Sequence, residues 1–94
     1  MTIDEFRATL TAAEPPPLPT LLHALWWDAR GDWNRAHSIA QEIDDASGAW
    51  VHAYLHRKEG DLTNAEYWYR RAGKDAARDS LDAEWNRIAA ALLG

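Results

Sequence analysis

The chain has 94 residues, of which 47% are apolar and six are tryptophan, and it carries a formal net charge of −5. This length is that of one domain, 1–94, and the aromatic-rich composition excludes a disordered chain. The lack of cysteine excludes disulfide scaffolds, thiolate metal sites and cysteine nucleophiles. An acidic chain has no overall basic footprint, so we expect no nucleic-acid partner.

The first predicted element is a helix over residues 2–14. Thr2 and Glu5 have the spacing of a capping box, ahead of an apolar stripe that includes Phe6. The proline-rich stretch 15–19 cannot continue this helix and predicts a short, stiff connector.

Two helical hairpins are predicted next, over residues 20–45 and 47–73. In each hairpin a glycine ends the first helix, and the aspartate that follows it caps the second helix. These pairs are Gly31-Asp32 and Gly60-Asp61. Ser47 is the predicted cap of the helix that opens the second hairpin.

The last predicted element is a capping helix over residues 80–93. Ser80 is a suitable N-cap, and the acidic residues Asp82 and Glu84 in the first turn favour the helix dipole. No stretch of the chain alternates apolar and polar residues as a strand would. The sequence therefore predicts an all-α fold of five or six helices joined by short turns.

The two hairpins repeat with a shift of 29 residues, which places His23 on His52 and Ala36 on Ala65. Both units consist of a helix, a Gly-Asp turn and a second helix. A repeated helical hairpin is typical of solenoid proteins, in which each unit buries its face against the next.

The run from Gly60 to Ala72 resembles the turn and second helix of the tetratricopeptide repeat family. Ala65 and Tyr69 occupy that family's small and aromatic positions. The resemblance covers about residues 20–73 and implies a short helical-hairpin repeat. The alternative architecture is a compact bundle of five to six helices with a capping C-terminal helix.

The resemblance also implies a concave, ligand-binding face on the first helix of each hairpin. On the second hairpin this face carries two aromatic residues and an arginine, the types that dominate interface hot spots. The predicted partner-binding residues are Trp50, Tyr54 and Arg57, with Leu25 and Asp28 from the first hairpin. The alternative is that the last helix covers this face, because its own apolar stripe needs a partner.

Residues 51–78 carry six bases and four acids and form a local basic zone in an acidic chain. Within this zone, Arg70 and Arg71 are predicted as secondary contacts for an anionic group of a partner. The favoured interpretation of this zone is instead a helix-stabilising pair between Glu66 and Arg70, which lie four residues apart.

His52 and His56 lie four residues apart and share one helix face, and Glu59 follows one turn later. This spacing is that of a possible ligand set, including one for a divalent metal ion. Because His23 recurs at the place equivalent to His52, packing is the favoured interpretation of these histidines. We therefore expect no resident metal and no cofactor.

No catalytic motif is present, so we expect no enzyme. The favoured hypothesis is an interaction module that binds a protein or peptide, or a second copy of itself as a homodimer. The alternative is a small-ligand or metal-binding domain built on His52, His56 and Glu59. No apolar run is long enough to span a bilayer, and the N-terminal residues lack a secretory pattern. We therefore expect no membrane partner and a cytoplasmic location.

Overall fold

Six α-helices account for the regular structure of the protein, together with one 3-10 turn at Thr9–Thr11, and no strand is present. This finding confirms the predicted all-α class. The structure is a computed structural model that describes residues 1–94. The helices are α1 (Ile3–Ala8), α2 (Thr20–Ala29), α3 (Trp33–Gln41), α4 (Ala46–Glu59), α5 (Leu62–Ala72) and α6 (Leu81–Leu93).

Helix α1 begins with the predicted capping box but is shorter than predicted. The backbone N–H of Glu5 donates to Oγ1 of Thr2 at 3.1 Å, and the N–H of Thr2 donates to Oε1 of Glu5 at 2.9 Å. The hydroxyl of Thr9 donates to the carbonyl of Phe6 at 2.6 Å, and Ala12 is already extended. The chain therefore leaves the helix well before the prolines, and the predicted span 2–14 is too long.

The later helix starts follow from side-chain caps. Asp32, Asp61 and Ser80 each accept a hydrogen bond from the backbone N–H three residues on, as predicted. The prediction for α4 is wrong by two residues: its cap is Asp45, which accepts from the N–H of Gly48 at 2.7 Å, and not Ser47. Asp45 has the extended backbone geometry of an N-cap, so its carboxylate caps the helix in place of the hydroxyl of Ser47.

The helices enclose one continuous apolar core. Each hairpin packs its own two helices together, α3 packs on α4, and α6 lies against both α2 and α4. Helix α1 packs on α6, so that the first and last helices close the same side of the bundle. Every helix contributes to the core, with Phe6, Trp26, Ala36, Leu55, Tyr69 and Ile88 as examples. None of the helices combines the length and apolar content that a bilayer crossing requires.

Candidate functional site

The predicted partner-binding strip on α2 and α4 is covered. Only 8% of Trp50 and 2% of Tyr54 are exposed, and Leu25 is fully buried. The ammonium of Lys74 lies 4.3 Å from the ring centroid of Trp50, and α6 packs across α2 and α4. Of the two possibilities that the sequence left open, the structure therefore shows the covered face.

Asp28, the acidic member of the strip, is buried and fully partnered. Its carboxylate accepts hydrogen bonds from the hydroxyl of Tyr54 at 3.0 Å and from Nζ of Lys58 at 2.8 Å. Burial raises the pKa of Tyr54 well above its usual value, and the Asp28 carboxylate raises it further. Tyr54 is thus a permanent donor, and Asp28 serves the contact between α2 and α4.

Arg57, the basic member of the strip, is also engaged inside the chain. Its guanidinium donates to Oε1 of Glu84 at 2.9 Å and to the carbonyl of Asp79. Glu84 is fully buried on α6 and also accepts from the hydroxyl of Tyr69 at 2.5 Å. Burial, followed by the hydrogen bond to Glu84, raises the pKa of Tyr69. Arg57 therefore holds α4 to α6 and is not available to a partner.

The histidines predicted as possible ligands meet a third one. His37 of α3 reaches across to α4, where its Nε2 lies 3.0 Å from Nε2 of His52. The rings of His52 and His56 are stacked with centroids 4.7 Å apart, and those of His37 and His56 are 5.1 Å apart. We call His37, His52 and His56 the three-histidine cluster. One ligand nitrogen from each of the three lies within 4.8 Å of the other two.

Burial favours the uncharged forms of His52 and His37. It lowers the pKa of His52 to about 4, and repulsion from His37 and His56 acts in the same direction. The pKa of His37 is lowered as well, first by burial and then by His56, against a smaller opposing effect of Glu59. Neutral imidazoles retain a free lone pair, which is the form that can bind a metal ion or accept a hydrogen bond.

Glu59, the third predicted ligand residue, orients His56. Its Oε1 lies 2.6 Å from Nδ1 of His56, and Nδ2 of Asn64 lies 3.3 Å from Nε2 of the same ring. The hydrogen-bond network therefore assigns the proton to Nδ1 and the lone pair to Nε2. Glu59 and His56 also lie near Asp61, with ligand atoms within 4.8 Å of one another. Asp61 is already the cap of α5, where it accepts from the N–H of Asn64.

His37 is the functional candidate that the sequence analysis missed. The spacing rule that pairs His52 with His56 applies within one helix, whereas His37 lies on the preceding one. Its only local sign is the position four residues after Trp33, with which it stacks at 4.8 Å. His23, the fourth histidine, lies apart from the cluster and donates Nε2–H to the carbonyl of Pro16 at 2.8 Å.

A second candidate site lies on α5 and just beyond its end. Tyr67, Arg70 and Arg71 share one exposed side of the helix, because they are spaced by three and four residues. Lys74 follows the helix end at Gly73, and we call these four residues the outer face of α5. Arg71 donates to the hydroxyl of Tyr67 at 2.9 Å, and its guanidinium lies 5.2 Å from the ring centroid of Trp68. These contacts order both side chains at the surface.

The predicted pair between Glu66 and Arg70 is not formed. The ion pairs of the chain do not include Arg70, whose side chain also makes no hydrogen bond. Arg71 has only one distant carboxylate, that of the highly exposed Asp44 at 3.8 Å. The predicted anion contacts Arg70 and Arg71 thus lie side by side with their charges largely uncompensated.

A scan with protein-family models and searches of curated proteins and of solved structures find no match to this chain. The tetratricopeptide resemblance stays a prediction from its residues.

Proposed function

We propose that the protein is a cytoplasmic interaction module, and that it binds an acidic segment of a partner protein through the outer face of α5. The observation that carries the proposal is the pairing of an exposed aromatic ring with two arginines whose charges are largely uncompensated. Tyr67 is 44% exposed, Arg71 is held against it, and Arg70 has no acidic partner.

Charge complementarity identifies the class of partner. Arg70, Arg71, Lys74 and Arg78 lie within nine residues of a chain whose net charge is −5. Neighbouring carboxylates offset these charges little, because the one ion pair among the four residues is that of Arg71 with the exposed Asp44, at 3.8 Å. An extended acidic segment would gain charge-assisted hydrogen bonds from this face, whereas a basic one would be repelled.

The aromatic residues add binding energy beyond the charges. Tyrosine and arginine are enriched at interface hot spots, and side chains that are already ordered lose less entropy on binding. The outer face of α5 therefore offers an aromatic ring beside cationic groups.

The test uses a fluorescein-labelled peptide rich in glutamate and aspartate, titrated with the protein and followed by fluorescence anisotropy. We expect Arg71→Ser to weaken binding by roughly tenfold, the size of one lost charge-assisted contact. Arg35→Ser is the matched control, because Arg35 also stands over a tryptophan, Trp27, at 3.8 Å, but lies on α3. This control should bind as the wild type does.

Three outcomes would contradict the proposal. The first is no binding of the peptide at about millimolar protein, the weakest range of specific recognition. The second is equal loss in Arg35→Ser and Arg71→Ser, which would mean attraction by overall charge alone. The third is a homodimer in sedimentation that Arg71→Ser dissociates, because the occupant of the face would then be a second copy.

A further inference from the structure

The crossing of α3 and α4 brings three imidazoles together, one of which is distant in sequence from the other two. His37 comes from one helix, and His52 and His56 come from successive turns of the other. The short distance is between Nε2 of His37 and Nε2 of His52, at 3.0 Å. Two nitrogens bound to one tetrahedral zinc ion are about 3.3 Å apart, given zinc–nitrogen bonds of about 2.0–2.1 Å. This pair is therefore already at the separation that a shared ion requires.

We infer that His37, His52 and His56 form a binding site for a divalent transition-metal ion of the zinc class, with Glu59 as a positioning residue. Imidazole nitrogens are ligands that zinc, copper and nickel accept, whereas calcium and magnesium prefer oxygen. Three protein ligands leave one tetrahedral position for water. The site goes beyond the docking function of α5 and does not depend on it.

The third ligand needs a small movement. The ligand nitrogens of the three-histidine cluster lie within 4.8 Å of one another, so the widest separation must shrink by at most about 1.5 Å to reach tetrahedral spacing. Rotation of a side chain covers this distance while the helices stay in place. The competing contact is weak, because the amide of Asn64 is 3.3 Å from Nε2 of His56.

Glu59 supplies the arrangement that supports a metal-binding histidine. Such a histidine almost always donates its second ring N–H to a carboxylate, a carbonyl or a water molecule, which fixes the tautomer. Here the carboxylate of Glu59 accepts a hydrogen bond from Nδ1–H of His56 at 2.6 Å, which leaves the lone pair on Nε2. His37 and His52 must likewise carry their protons on Nδ1 when an ion replaces the contact between their Nε2 atoms.

The burial of two of its histidines distinguishes this site from exposed surface histidines that bind metal ions nonspecifically. His52 and His56 are buried, and the ring of His52 is covered by Trp68 at a centroid distance of 4.0 Å. His37 is only half-buried and provides the route to solvent. An ion held here would be enclosed by helices on two sides, and its fourth ligand would face the side of His37.

The experiment is calorimetric titration of the full chain with zinc chloride near neutral pH, after dialysis against a chelator. We expect one ion per chain. His37→Gln, His52→Gln and His56→Gln should each weaken binding by at least about a hundredfold, and Glu59→Gln by about 10–100-fold. His23→Gln is the matched control, because His23 lies outside the cluster and should leave the affinity unchanged.

A spectroscopic measurement on the wild type keeps the proposal testable if a variant fails to fold. Cobalt(II) in a tetrahedral nitrogen site absorbs strongly in the visible range, and histidine NMR identifies which ring nitrogens shift on adding zinc. Shifts at the Nε2 atoms of all three residues are expected. The inference is overturned by the absence of stoichiometric binding, by equal loss in His23→Gln, or by wild-type binding in His37→Gln. The last result would move the ion to His56, Glu59 and Asp61.

Discussion

The imidazole of His52 lies parallel to the indole of Trp68, with ring centroids 4.0 Å apart and an interplanar angle of 19°. Trp68 belongs to α5, and its other surroundings include the guanidinium of Arg71 at 5.2 Å. One tryptophan therefore separates the three-histidine cluster from the outer face of α5. The ring shields His52 from water, and it also lies against Arg71, a residue of that face.

Replacing Trp68 should change both the free energy of unfolding and the pKa of His52. We expect Trp68→Ala to lower the free energy of unfolding by about 2–3 kcal/mol, because the half-buried ring leaves a space that the helices cannot close. The pKa of His52 should rise from about 4 toward its ordinary value as water reaches the ring. Denaturant unfolding and NMR titration of the imidazole measure the two effects. Trp27→Ala, another half-buried tryptophan beneath an arginine, should leave the pKa of His52 unchanged.

The metal-free protein should lose stability in mild acid. The folded-state pKa of His52 is about 4, below its ordinary value of 6.5, so the unfolded chain takes up the proton first. The contribution of His52 to the free energy of unfolding is therefore complete above about pH 6.5 and is lost progressively as the pH falls toward 4. We expect the free energy of unfolding to decrease by about 1–2 kcal/mol between about pH 7 and 5.

The control for this pH effect is His52→Gln, measured by urea unfolding in the presence of a chelator. The groups that face His52 are His37 of α3 and His56 of α4, with Glu59 near both of them. The variant should lose most of the pH dependence in this range. An unchanged pH dependence would assign the effect to carboxylates and contradict the prediction.

The buried carboxylate of α6 should matter far more than its exposed neighbour. Glu84→Ala removes the partner of Arg57 and of Tyr69 and leaves a half-buried guanidinium without a carboxylate. We expect a loss of about 3–5 kcal/mol in the free energy of unfolding. Asp82→Ala removes the same charge from a side chain that is 74% exposed, and should change stability by less than about 0.5 kcal/mol. Equal losses for the two variants in unfolding by guanidinium chloride would show that the contacts of Glu84 do not stabilise the fold.

Gly48 should be the position in α4 where alanine is harmful. A Cβ at Gly48 would lie 2.0 Å from the carbonyl oxygen of Ile43, so the loop before α4 would have to move. We expect Gly48→Ala to lower the free energy of unfolding by about 1–3 kcal/mol, although alanine is the better helix former. Ser47→Ala, one residue earlier, should be neutral or slightly stabilising. A stabilised Gly48→Ala in thermal unfolding would contradict the close approach.

Local signals predicted most of the fold, because helix ends depend on neighbours in sequence. Asp32, Asp61 and Ser80 cap the helices they were assigned to, and Gly60 and Gly73 end theirs with positive φ angles of 92° and 70°. The cap of α4 was misassigned because Asp45 and Ser47 are both acceptable caps on paper. The three-dimensional geometry of the loop before α4 decides between these two caps.

The candidate sites could be predicted only in part, because they depend on which helices meet. Helix α6, which is far away in sequence, covers Tyr54. The apolar stripe of a helix shows that the helix packs against something, but it does not show which helix the partner is. His37 joins His52 across 15 residues and two helices, a relation that the four-residue spacing rule cannot detect. Arg70 and Arg71 could be predicted as surface cations because they lie opposite the buried side of their own helix.

The two buried carboxylates limit how the helices can slide past one another. Asp28 is matched to a tyrosine and a lysine of α4, and Glu84 to an arginine of α4 and a tyrosine of α5. A shift of one helical turn, about 5.4 Å, would replace each match with an unpaired charge in an apolar interior. Alanines and leucines would tolerate such a shift, since one apolar contact resembles the next. The carboxylates thus select a single alignment of α2, α4, α5 and α6 from several that the apolar residues would accept.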